Sequence, residues 1–87
     1  MTKREKLEER VRIFANDISM AEFESFLITN GFERRDKKSG SHRVYQTVVH
    51  NERRSVTIVC PHGNRKGVCE YDMRKVLAII DEKKEEG

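Results

Sequence analysis

Residues 38–45, KSGSHRVY, place a histidine, two serines and a glycine between two cations. A histidine with its ordinary pKa near ~6.5 can give or take a proton near neutral pH. Gly40 lets the backbone come close to a phosphate, and the amides and hydroxyls of Ser39 and Ser41 can donate to its oxygens. Lys38 and Arg43 flank the group with positive charge. Three readings of His42 compete: an exposed strand-start histidine without a role, a metal ligand, and a proton-transfer group aimed at a phosphate.

The second candidate stretch is CPHGNRK, residues 60–66. If its strand runs beside that of His42, His62 approaches the same rim and can supply an acid to complement a base at His42. Arg65 and Lys66 beside it are candidate phosphate contacts. Cys60, His62 and Cys69 read as C-x-H-x6-C, which lacks the paired spacings of tetrahedral zinc sites, so no metal site is expected. Cys60 continues the apolar parity of Val56 and Ile58 and reads as core. Tyr45 also reads as core, although an exposed tyrosine there could stack a base.

These residues need elements to hold them. Thr2 and Glu5 have capping-box spacing ahead of Leu7, Val11 and Phe14, which predicts a first helix over roughly 3–15. Ser19 and Glu22 repeat the signature ahead of Phe23, Phe26 and Leu27, and Asn30-Gly31 ends that second helix. From Phe32 the period changes. FERRDK reads as a strand, KKSG as a turn, HRVYQTVVH as a second strand, NERR as a second turn and SVTIVC as a third strand. PHGNRKG is a loop. Asp72 is positioned to cap a last helix whose apolar stripe is Met73, Val76, Leu77 and Ile80, leaving DEKKEEG as a solvated end.

The order ααβββα predicts an α+β fold, an antiparallel meander of three strands with helices on one face. The other face, carrying Arg and Lys side chains, is left for a ligand. One expectation creates a conflict. Strand parity puts His42 with Val44 and Val48, which read as core, so His42 must either precede the regular strand or be re-aimed by a bulge beside Gly40.

Eighty-seven residues make one domain, residues 1–87, with 1–16 a helical extension and 17–87 the core. Such a chain buries roughly 60–65% of its unfolded surface, so catalysis is expected on an open face. Net charge is +3, unevenly placed: residues 32–67 hold nine Lys/Arg against three Asp/Glu, while both flanks are mildly acidic. A concentrated basic region favours a polyanionic partner, nucleic acid first. The N-terminus lacks an apolar signal-peptide core, and VLAII is too short to span a membrane, so a cytoplasmic protein with two free thiols is expected.

NGFERRDKKSGSHRVY, VTIVCPHGN and YDMRKVLAII, in that order, resemble the HicA (YcfA-like) toxins, small mRNA interferases. The likeness covers nearly the whole chain, and the first helix is similar to a longer-armed branch of that family. It implies a fold like the double-stranded-RNA-binding domain, metal-independent endoribonuclease cleavage of RNA without a cofactor, and a HicB-like antitoxin partner. It assigns the chemistry to the G-S-H histidine, His42. This chain departs from the pattern at Glu70 and Asp72, where such proteins more often carry small or basic residues. The alternative from another class is a non-catalytic RNA-binding module of the same fold, which would keep the basic hairpin without needing His42. Two acids before Arg74 and Lys75 count against it.

Overall fold

The structure, a computed structural model, describes residues 3–35, 41–61 and 66–86. Lys38, Ser39, Gly40, His62 and Arg65, together with Thr2 of the first capping box, lie outside these described residues. The element order is α1 (Lys3–Arg12), α2 (Met20–Thr29), β1 (Glu33–Arg34), β2 (His42–Val49), β3 (Glu52–Val59) and α3 (Glu70–Glu86). The strands form one antiparallel sheet in the order β1-β2-β3. This is an α+β fold with helices on one sheet face. Among the described residues no helix is long and apolar enough to cross a membrane.

Local signals explain α2. The Ser19 hydroxyl accepts the Glu22 N–H and the Glu22 carboxylate accepts the Ser19 N–H, each at 3.1 Å, so two orphan donors are satisfied. At the other end Gly31 has φ +89°, a conformation that suits glycine, and Phe32 N donates to Leu27 O while Gly31 N donates to Ile28 O. That is a Schellman closure, with Phe32 and Leu27 both buried as its apolar contact.

The sheet presents its faces by strict alternation. Tyr45, Thr47 and Val49 of β2 are buried with Val56 and Ile58 of β3, under Phe23, Phe26 and Leu27 of α2 and Met73, Val76, Leu77 and Ile80 of α3. Val11 of α1 and Ile18 are fully buried in the same cluster, so α1 shares the core with the rest of the chain. Arg10 ties α1 to Asp17 and Glu22 at 2.8 Å each, and Arg12 reaches Asp81 of α3 at 3.0 Å.

Several sequence expectations change. Val48 is 53% exposed and Val44 half-buried, because the face that meets the helices carries Tyr45 and Val49. The parity conflict at His42 therefore disappears without a bulge. The second turn is His50–Asn51, with φ 51° and 65°, the signature of a two-residue hairpin; Glu52, Arg53 and Arg54 already pair with Val49, Val48 and Thr47. β1 is only two residues long within the described part of FERRDK. The first helix stops at Arg12, and α3 continues to Glu86, so DEKKEE is helical.

Asp72 does not cap its own helix. The first main-chain bond of α3 runs from Met73 N to Cys69 O, which places Asp72 inside the first turn. Its carboxylate, 2% exposed, instead accepts the Val59 N–H at 3.0 Å and Lys75 Nζ at 3.1 Å. Lys75 also donates to Thr57 O at 3.0 Å. The start of α3 thereby covers part of the β3 edge, where unpaired backbone groups would otherwise be left.

Candidate phosphate-binding and proton-transfer site

His42 opens β2 on the sheet face away from the helices and is exposed. Its partner across the ladder is Val59. The preceding residue is fixed by the Cys60 N–H, which donates to Ser41 O at 2.6 Å. Ser41 Oγ lies 3.2 Å from His42 Nδ1. When the hydroxyl donates to Nδ1, Nε2 carries the ring proton; when Nδ1 donates, Nε2 is an acceptor. Either way one edge of the ring is anchored, and among the described residues the second ring nitrogen has no hydrogen-bond partner.

Arg43 follows His42 in sequence and points the other way. Its Nη1 donates to Glu24 Oε2 of α2 at 2.7 Å, and the Tyr45 hydroxyl donates to the same oxygen at 2.8 Å. Tyr45 is fully buried, as its sequence context suggested. Burial, aided by the hydrogen bond to the Glu24 carboxylate, pushes its phenol up to about 12. The Glu24–Arg43–Tyr45 group locks the first half of β2 onto α2 and sets the strand's rotation, on which the outward aim of His42 depends. Arg43 is thus not gathered with His42 on one face.

Lys66 is exposed in the segment leading to α3. That segment is held at its base by the α1–α2 connection. Val68 N donates to Ile18 O at 2.9 Å, and a Cβ built at Gly67 would fall 2.6 Å from Asn16 O. Cys60 is half-buried, a continuation of the Val56–Ile58 face at the strand end. Among the described residues no three His, Cys, Asp or Glu side chains are grouped to hold a metal ion.

Two cations that sequence reading left out share the face of His42. Arg53 is exposed and stands opposite Val48 in the ladder, and Arg35 donates from Nη1 to Gln46 Oε1 at 2.9 Å. The signal that finds them is the cross-strand register, which a single strand's composition does not carry. Glu24 and Asp72 were missed as supports for the same reason: their partners are 19 and 13 residues away.

No family model, no curated protein and no solved structure matches this chain.

Proposed function

We propose that this chain is an RNA-cleaving toxin of the HicA type, a metal-independent endoribonuclease in which His42 carries proton transfer. The observation that carries the reading is His42 itself: exposed on the open sheet face, with Ser41 Oγ 3.2 Å from its Nδ1. The chemistry needs little more. RNA brings its own nucleophile, so His42 takes the 2′-OH proton, the 2′-oxygen attacks phosphorus, and the bond to the 5′-oxygen breaks as that oxygen receives a proton. His62 is the proposed acid, and Lys38, Ser39, Gly40, Ser41, Arg65 and Lys66 the proposed phosphate contacts. Such proton transfer is worth roughly 10²–10⁴-fold.

The order α2-β1-β2-β3-α3 is compatible with a double-stranded-RNA-binding fold to which α1 is added. Passive duplex binding is the weaker reading, because the cations at the start of α3 are already engaged. Arg74 pairs with Glu70 at 2.7 Å and lies over the Phe14 ring, while Lys75 is held by Asp72 and Thr57 O. An open site that cuts cellular RNA requires a separate inhibitor, and a HicB-like acidic antitoxin in the cytoplasm is the proposed partner.

The test is induced expression of wild type and His42→Ala in bacteria, with growth and mRNA length followed, and cleavage by the purified chain in EDTA. Growth arrest with mRNA shortening by wild type alone is expected. A folded His42→Ala chain with full toxicity would sink the assignment.

A further inference from the structure

The open sheet face differs chemically from the helix-covered one. Side chains paired across strands share a face, so Gln46 stands beside Ser55 and Val48 beside Arg53 on the face that His42 opens. Ser55, Thr57 and Arg53 are all exposed there. Arg35 reaches the same face through Gln46. Neither Arg35 nor Arg53 has an ion-pair partner among the described residues, whereas Arg10, Arg12, Arg43, Arg54 and Arg74 are each bound to carboxylates. Among the described residues the acid on this face is Glu33, paired with Gln46.

We propose that this face is a track for the backbone of single-stranded RNA, running from His42 along β2 and β3 to Arg53, with Arg35 and Arg53 as phosphate contacts. The proposal rests on the reading of the chain as acting on RNA and deepens it by naming where the strand lies beyond the reacting phosphate. Six residue steps separate His42 from Val48, so at about 3.4 Å per step the track is roughly 20 Å long. Among the described residues Arg35 is tied to a neutral amide and to no carboxylate, so no ion pair with them has to break when a phosphate arrives.

The composition of the face selects a polyanion over an acidic protein. Stable protein interfaces are anchored by buried aromatic or large apolar side chains. Here the apolar groups are Val44, Val48 and Val59. Phe23, Phe26, Phe32 and Tyr45 are buried on the helix side, Phe14 lies under Arg74, and Tyr71 belongs to α3. Spaced cations and hydroxyl donors suffice for phosphates. Among the described residues no Phe, Tyr or Trp ring lies on this face between His42 and Arg53, so the track is held mainly through phosphates and its contacts discriminate little between sequences.

The test uses the full chain carrying His42→Ala, so that RNA is not consumed. Binding of a fluorescein-labelled 12-nucleotide single-stranded oligo(U) RNA is followed by polarisation in EDTA across a salt series. Adding Arg35→Gln and Arg53→Gln together should lower affinity roughly 10- to 30-fold near 0.1 M salt. The log–log salt slope should fall by about 1.4, two phosphates at ~0.7 each. Lys84→Gln, which removes a charge on the helix side, should change neither, and thermal midpoints should stay together. An unchanged slope in the double variant, or an equal loss with Lys84→Gln, overturns the track. Loss of polyglutamate binding with RNA binding intact overturns it too, assigning the face to an acidic protein. The two readings fail separately: wild type that cleaves RNA with the slope unchanged loses only the track, and a slope change without cleavage by wild type loses only the nuclease.

Discussion

The Asp72 carboxylate accepts the main-chain N–H of Val59 at 3.0 Å, and Val59 is the residue paired across the ladder with His42. A buried acid of α3 thus fixes the strand end on which the candidate histidine rests. Asp72→Ala leaves that N–H without its acceptor and Lys75 without its charge partner. The expected loss is about 1–3 kcal/mol, since Lys75 is partly exposed and the ion pair is screened. Asp72→Asn keeps an acceptor and should lose less. Urea denaturation of both variants checks the order; an Ala variant as stable as wild type would remove Asp72 from this role.

Glu24 serves two donors, Arg43 and Tyr45, through one oxygen. Glu24→Ala should therefore cost more stability than Arg43→Ala, with each in the range of about 1–3 kcal/mol. The two losses should not add, because both variants break the same ion pair. Additive losses in a double-mutant cycle would mean that the pair is not coupled in solution.

Alkaline titration should report on Tyr45. Its folded pKa, about 12, lies above the ordinary value of 10.0, so the folded state holds the phenol proton more tightly than the unfolded chain. The resulting stability is fully present below pH 10 and is lost as pH rises toward 12, by on the order of 2 kcal/mol. Tyr45→Phe removes the ionisation and should flatten that alkaline decline while costing some stability at pH 7, because Glu24 Oε2 loses one of its two donors. A wild-type curve as flat as the variant's between pH 10 and 12 would contradict the burial argument.

Gly67 packs against main chain. A Cβ there would lie 2.6 Å from Asn16 O and 2.8 Å from Ile18 N, and backbone atoms cannot swing aside. Gly67→Ala should destabilise by roughly 1–3 kcal/mol through overpacking. At Gly31 the nearest obstacle is the flexible Lys83 Nζ at 3.2 Å, and the cost of Gly31→Ala comes from its positive φ instead. Thermal unfolding separates the two: adding Lys83→Ala should leave the Gly31→Ala loss in place, while no side-chain truncation should relieve Gly67→Ala.

Much of the element order was legible because the signals are short-range. The Ser19–Glu22 box and the Asn30-Gly31 closure are satisfied within a few residues, and the 3.6-residue stripe of α3 needs no partner to be recognised. The hairpin was misread by two residues because NERR looks like a turn, whereas the positive φ values fall on His50 and Asn51. Once they do, Arg54 faces the helices and pairs with Glu82 at 3.0 Å, and Arg53 faces outward.

The sequence alone determined that His42 begins a strand and that basic side chains cluster around it, since composition and alternation are local properties of the chain. It did not determine the face. HRVYQTVV carries apolar residues on both parities, Val44 and Val48 on one and Tyr45 and Val49 on the other, so period-two alternation is degenerate there. Only tertiary packing breaks that tie: Tyr45 is buried in the core with α2 and α3, Val49 is buried on the same face, and Glu24 holds Arg43 there. The same choice turns His42, Arg35 and Arg53 to the open side. Which cations remain unpaired on that side is decided by carboxylates distant in sequence, and tertiary structure alone brings those together.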